Sequence, residues 1–269
     1  MEIDMIITTG DKAGEAIIRR AEELASRTGS RYVPRRHTPL SKMSKLHGNA
    51  EIIVVLDGGA RLVRPGENPL EFHPSMGFIR AKRILKGESD PMLDAACMQE
   101  GDTVLDCTAG LGTDALVFAV KGGRNTKVMA AESSAALAAL LSEGLAYYTS
   151  AVEEVNEALR RVEILNRDHL EVLRSLPDRS VDIVYFDPMF REPLMDSSAI
   201  RPLRWFANSE ALSKESIQEA VRVARKTVVL KEKRGSREFA RLGFSEQERA
   251  HSKISYGVIT VDRNEQSRT

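Results

Sequence analysis

Cysteine is scarce in this chain, neither sign of charge predominates, and no long apolar run occurs. The two cysteines among 269 residues are Cys97 and Cys107, and neither has a Cys or His at metal-ligand spacing. That excludes a disulfide framework and a cysteine-based metal site, so the expected setting is a reducing cytoplasm and no metal is expected. No uncharged stretch approaches the roughly twenty apolar residues that cross a bilayer. The opening MEIDMIITTG is acidic where a targeting segment would be basic, so an untargeted, soluble protein without membrane contact is expected. Lys and Arg number 39, as do Asp and Glu. A neutral total excludes nonspecific coating of nucleic acid, while a local basic patch stays open. An apolar content of 42% excludes disorder, and the length suits one large domain or a catalytic domain with a smaller companion. Internal repeats and low-complexity tracts are absent, and nothing in the composition sets an oligomeric state.

What is present divides near residue 70. MIITTG reads as a strand, and Ala16, Ile17, Ala21, Leu24 and Ala25 recur at helical spacing, with Gly29 placed to cap the helix. EIIVVL and ARLVR flank Asp57-Gly58-Gly59, which predicts a hairpin with positive φ angles. Prolines at 65, 69 and 74 break regular structure, and MGFIRAKRIL (76–85) then reads as a basic amphipathic helix. Beyond Gly101 the runs TVLDC, KVMAA, VEIL, VDIVYF and KTVVLK are spaced widely enough for a helix between each pair. Such alternation predicts an α/β fold with a doubly wound, mostly parallel sheet, which YGVITV could close as an antiparallel strand. The expected organisation is an α/β subdomain over 1–72, a connecting helical segment over 73–98 and a larger domain over 99–269.

The segment Val104-Leu-Asp-Cys-Thr-Ala-Gly-Leu-Gly-Thr-Asp-Ala115 carries the richest signal. A strand ends at Asp106, Thr108, Gly110 and Gly112 form a loop, and a helix opens near Thr113. The glycines permit a tight bend and close approach to a ligand, and a helix N-terminus offers unpaired N–H groups. Two ligand classes compete. A dinucleotide would bring its pyrophosphate against the acidic Asp106, which repels it, whereas the sulfonium and ammonium groups of S-adenosylmethionine are attracted. Glu132 ends the next strand, where a carboxylate can accept hydrogen bonds from ribose hydroxyls in either class. After VEIL, Asp168 or a neighbouring amide can reach an adenine edge; the alternative is that Asp168 with His169 is a plain helix opening.

The fourth strand of that series runs into Asp187-Pro188-Met189-Phe190, which resembles the Asp/Asn-Pro-Pro-Tyr/Phe signature of enzymes that methylate exocyclic amines of nucleobases. Such an amine is a poor nucleophile because its lone pair is delocalised into the ring. Asp187 and the Pro188 carbonyl can accept its two hydrogens and align the lone pair, and Phe190 can stack on the base. The alternative is a simple turn after a buried strand.

TAGLGTDALVFA, AAESSAALAALLSEGLA and VYFDPMF together resemble the ribosomal RNA small subunit methyltransferase J family, over about Met76 to Lys233. The resemblance implies a class I, Rossmann-like methyltransferase that uses S-adenosylmethionine and modifies guanine N2 of 16S ribosomal RNA, with RNA or the small ribosomal subunit as partner. It also implies cofactor contacts at Thr113, Asp114, Glu132, Ser133, Asp168, His169 and Asp187. The run Arg191-Glu192-Pro193 departs from the family pattern. A methyltransferase on an amine of DNA, protein or a small molecule, a nicotinamide-dependent oxidoreductase, and a noncatalytic RNA module remain as alternatives. Two basic groups, one in 24–50 (Arg27, Arg31, Arg35, Arg36, Lys42, Lys45) and one at Arg80, Lys82, Arg83 and Lys86, form a candidate phosphate-binding approach to Asp187. They read equally well as solvated faces.

Overall fold

The computed structural model describes residues 5–64, 66–188, 211–247 and 252–261, and these fall into two compact units. The first begins with β1 (Met5–Thr9), α1 (Glu15–Thr28), β2 (Arg31–Tyr32), α2 (Leu40–Leu46), β3 (Glu51–Leu56), β4 (Gly59–Val63) and β5 (Leu70–Glu71). Its sheet runs β2-β1-β3-β4-β5, parallel among the first three strands and antiparallel after them. The β-branched run of β3 is buried almost throughout, as a central strand covered on both faces requires. The expected hairpin joins β3 to β4, and of its three turn residues Gly59 alone has a positive φ, 139°. Gly29 caps α1 in the left-handed conformation, as its position predicts.

The remaining elements are α3 (Ser75–Leu85), α4 (Pro91–Ala95), β6 (Thr103–Asp106), α5 (Thr113–Gly122), β7 (Lys127–Ala131), α6 (Ala135–Tyr147), α7 (Glu153–Arg161), β8 (Val162–Leu165), α8 (His169–Ser175), β9 (Val181–Phe186), α9 (Lys214–Val223), β10 (Ala224–Lys233), α10 (Arg237–Leu242), β11 (Ser245–Gln247) and β12 (Ile254–Thr260). The five alternating apolar runs are β6 to β10. They lie in a seven-stranded sheet ordered β11-β12-β10-β9-β6-β7-β8. All five are parallel, and β12 closes the sheet antiparallel to β10. The fold is therefore the expected doubly wound α/β class.

One face of this sheet buries Leu105, Val184, Phe186, Val228 and Leu230 with Val172, Leu173, Ile217 and Ala220 of α8 and α9. The alternate residue Tyr185 points to the other face, where its ring packs edge-on against Phe118 of α5. Helix α3 lies on α5 so closely that a Cβ at Gly77 would stand 2.5 Å from the Thr113 carbonyl oxygen. Backbone cannot yield as a flexible side chain would. Gly77→Ala is therefore expected to destabilise the protein by about 1–3 kcal/mol through overpacking, outweighing the roughly 1 kcal/mol that alanine adds to a helix interior. A urea-unfolding midpoint above wild type would refute this.

Two assignments along the chain differ from simple sequence order. Of the segment 73–98, expected as a connection, all but His73 clusters with the second unit, and α6 clusters with the first. Helix α6 is held there by Glu143, fully buried and 3.0 Å from Arg20 of α1. The same Arg20 donates to the carbonyls of Leu56, Asp57 and Gly59 at the β3–β4 turn. A buried carboxylate needs such a partner, and α1 supplies it. Among the described residues no helix is long and apolar enough to cross a membrane, and no group of three or more His, Cys, Asp or Glu could hold a metal ion.

Candidate functional site

Parallel strands place their carboxyl ends at one edge, so Asp106 (end of β6), Glu132 (after β7), Asn166 (after β8) and Asp187 (after β9) share the rim of the seven-stranded sheet. The order of connections reverses between β6 and β9, which is where doubly wound sheets open a crevice for ligands. The loop from β6 to α5 is bound to its neighbours on both sides. Ala109 N donates to Ala131 O at 3.0 Å, Gly110 N to the Glu132 carboxylate at 3.0 Å, and Asp187 N to Thr108 Oγ1 at 2.6 Å. Gly110 and Gly112 have φ of 53° and 69°, the left-handed region that favours glycine. A Cβ at Gly110 would meet nothing within 4 Å, so the loop has open space above it. Asn166 Nδ2 donates to the carbonyls of Glu132 and Ser133, which fixes the segment after β7.

Beneath this rim lies a charged network that the sequence did not display. Asp114 is 5% exposed and is held by Arg80, by the Tyr185 hydroxyl at 2.7 Å and by Lys231 Nζ at 2.9 Å. Arg80 also grips Asp90 through two bonds of 2.7 Å. Lys231 reaches on to Asp187 Oδ2 at 2.7 Å. Strand pairing explains the meeting: Leu230 of β10 is in register with Phe186 of β9, so the next residues, Lys231 and Asp187, fall side by side.

The electrostatics divide the carboxylates. Burial, with Asp114 and Asp187 nearby, pushes Asp106 up to about 8, although the Thr108 amide donates to it. Asp114 is also buried, yet Lys231 and Arg80 hold it well below the ordinary carboxylate range. Asp187 is pushed up to about 6 by burial and by Asp114, against the opposing pull of Lys231. Burial opposes the charge on Lys231, but the flanking carboxylates raise its pKa and keep it an ammonium. At neutral pH Asp106 is thus largely protonated, and Arg80 and Lys231 face the three carboxylates of Asp90, Asp114 and Asp187. Within this network the carboxylates outnumber the cations by one, and Glu132 stands at the rim besides.

Several expected site residues behave differently in the fold. Asp106, 1% exposed, does not present a charge to a cation; it shapes the loop by accepting from Thr108 N at 3.0 Å. The Asp114 side chain faces the network, so any ligand contact at Thr113 and Asp114 falls to the helix N-terminus. Asp168 accepts from Leu170 N at 2.8 Å and caps α8. His169 packs on Phe186 and shares a 3.0 Å hydrogen bond with Ser216, and burial lowers its pKa. Its side chain therefore belongs to the α8–α9 packing. Glu132, Ser133, Gly110, Gly112, Thr108, Asp187 and Pro188 do gather at the rim, while Met189, Phe190, Arg191, Arg201, Arg204 and Trp205 lie outside the described residues. Arg80 leaves the proposed basic surface, because its guanidinium is taken up in ion pairs with Asp90 and Asp114. Arg83 pairs with Glu88, Arg35 with Asp11 and Arg27 with Glu143. Lys231, Tyr185 and Asn166 were not foreseen. No local signal separates Lys231 from the other charged residues of β10, ARKTVVLKEK.

Residues 70–251 match the family model SAM_MT, described as "Putative SAM-dependent methyltransferase". A Bacillus subtilis (strain 168) relative described as "Uncharacterized protein YpiP" is 39% identical over 254 residues, 94% of this chain and 98% of the relative. A ribosomal RNA small subunit methyltransferase J from Hydrogenovibrio crunogenus is 31% identical over 175 residues, covering 60% of this chain and 62% of that protein. The crystal structure of a SAM-dependent methyltransferase from Neisseria gonorrhoeae matches 98% of this chain and 99% of its own with a TM-score of 0.64 at 21% identity, which shows the shared fold. The matched span holds the glycine loop, Glu132, Asp187 and Lys231, and the chain belongs to this family of enzymes, methyltransferases that use S-adenosylmethionine.

Proposed function

We propose that this enzyme methylates an exocyclic amine, guanine N2 of small-subunit ribosomal RNA. The observation that carries the reading is the 2.6 Å bond from Asp187 N to Thr108 Oγ1, which ties the amine-binding strand end to the glycine loop. Acceptor and donor sites thereby share one rigid frame, as a reaction governed by alignment requires. The printed names of the methyltransferase J relatives support the ribosomal RNA substrate.

The residues fit S-adenosylmethionine. Open space over Gly110 admits a ligand against the loop, Glu132 suits ribose hydroxyls, and the excess of carboxylates over cations in the network beneath the rim suits a sulfonium and an ammonium. When bound, the cofactor supplies an activated methyl group that leaves a neutral thioether behind. Asp187 and the Pro188 carbonyl accept the two amine hydrogens and turn the nitrogen lone pair toward the methyl carbon. Methylation of the amine would release one proton, which the Asp187 carboxylate would accept and pass to solvent. Phe190 is assigned to stacking on the base. Thr108 holds the Asp187 backbone, and Gly112, Thr113 and the helix start are assigned to the carboxylate end of the cofactor. A cytoplasmic location accords with a ribosomal substrate.

The test is nucleoside mapping of 16S ribosomal RNA from cells lacking the gene. One N2-methylguanine is expected to disappear, and purified enzyme with S-adenosylmethionine is expected to restore it on either naked RNA or small subunits. An unchanged methylation map, with no incorporation on those substrates, would reject the RNA assignment.

A further inference from the structure

We propose that Lys231 is a positioning residue for methyl transfer: its ammonium bridges Asp114 and Asp187, orients the Asp187 carboxylate and keeps it ionised for the incoming amine. The inference rests on the assignment of Asp187 as amine acceptor. It goes beyond that assignment by naming the group that makes a half-buried aspartate usable at neutral pH.

The geometry is specific. Lys231 Nζ lies 2.7 Å from Asp187 Oδ2 and 2.9 Å from Asp114 Oδ2. Asp114 is itself immobilised by Arg80 and by the Tyr185 hydroxyl, so Lys231 is anchored on one side and directs the other. With Oδ2 engaged by Lys231, Oδ1 is the oxygen presented to the amine. Register enforces the arrangement, because β10 is paired on one side with β9 and on the other with β12, where Tyr256 stands opposite Lys231. The charged and titratable groups facing the pair come from every neighbouring element: Asp106 on β6, Asp114 on α5, Arg80 on α3, Asp90 before α4, Tyr185 on β9 and Tyr256 on β12. Tyr256 is pushed up to about 12, chiefly by burial, and stays neutral. Among these groups Asp114 raises the pKa of Asp187 and Lys231 lowers it. Removing the ammonium leaves two carboxylates in mutual repulsion, and a proton on Asp187 would relieve it. A protonated Asp187 loses acceptor capacity and delivers no aligned amine.

The test compares wild type with Lys231→Met, Lys231→Arg, Asp187→Asn and the Asp187→Asn/Lys231→Met double variant. The kcat of methyl transfer is followed across about pH 5 to 9, and the Asp187 carboxyl is titrated by 13C NMR in the S-adenosylhomocysteine complex. In Lys231→Met the acid limb of kcat and the NMR titration are both expected to move up by about one pH unit or more, with a smaller change in cofactor KM. Lys231→Arg should return the limb toward wild type. Asp187→Asn should show no such limb, and adding Lys231→Met to it should lower kcat no further. An unmoved titration in Lys231→Met, or an equal loss in the Asp187→Asn background, overturns the proposal. If Lys231→Met alone does not fold, the double variant decides, since it removes one charge of each sign. The NMR shift needs no RNA, so a shifted titration in a protein that methylates no ribosomal RNA would support the coupling and refute the substrate.

Discussion

Asp187→Ala is expected to lower kcat by about 10²- to 10⁴-fold, the usual range for a side chain that manages a substrate proton, while binding of S-adenosylhomocysteine stays measurable by calorimetry. The split follows from the geometry. The backbone of Asp187 keeps the 2.6 Å bond to Thr108 in the variant, so the glycine loop retains its support, and only the acceptor for the amine hydrogen is lost. The remaining Pro188 carbonyl can hold one hydrogen and leaves rotation about the C–N axis uncontrolled. For the wild-type enzyme the sign of the pH dependence is also set. Asp187 is pushed up to about 6 by burial and must be ionised to accept, so kcat should climb as pH rises through that value. An Asp187→Ala enzyme that keeps near-native turnover, or a wild-type kcat that falls as pH rises from 5 to 7, about the range over which such a group titrates, would remove Asp187 from the chemistry.

Asp114→Ala is expected to destabilise the protein by about 3–5 kcal/mol, the cost of breaking a buried ion pair by removing one partner. Sequence resemblance implies a cofactor contact for this residue, which would cost affinity and leave the fold alone. The side-chain contacts support a structural role instead. Both oxygens of its carboxylate are taken by protein groups, Arg80 on one and Tyr185 with Lys231 on the other. Alanine would strand two largely covered cations with only Asp90 and Asp187 as partners. Urea unfolding decides between the claims: an unchanged midpoint with weakened S-adenosylhomocysteine binding would restore the contact role. Linkage gives a second signature. The folded-state pKa of Asp114 is depressed, so its stabilisation is present above the unfolded value of about 4 and is lost as pH falls below that. The difference in stability between wild type and variant should therefore shrink in acid.

Much of the fold was legible because it rests on local pattern. The runs from TVLDC to KTVVLK became the five parallel strands, and the hairpin and the Gly29 cap stand where turn chemistry puts them. YGVITV became β12, whereas the short β11 beside it carried no apolar pattern to announce it. The rim of the site was legible for a related reason, since strand ends of a parallel sheet must share an edge, and Glu132 and Asp187 end strands. What local pattern misjudged were charges. Arg80 in a basic helix reads as solvent-facing, and Lys231 in KTVVLK reads as the end of a strand. Whether each is exposed depends on residues ten to more than a hundred positions away.

The sequence by itself determined the order of strands and helices, the glycine loop with its positive φ angles, and which carboxylates stand at the cofactor edge. Each of these follows from periodicity, backbone sterics or strand direction, which act over a few residues. Only the tertiary structure decided the ionisation state and task of each of those carboxylates. Asp106, Asp114 and Asp187 are the same residue type, yet burial raises one to about 8 against only a weak pull from Lys231, two cations hold the second low, and one shared ammonium leaves the third poised near 6. Those differences arise from desolvation and from partners on α3 and β10 that strand register and helix packing bring within 3 Å.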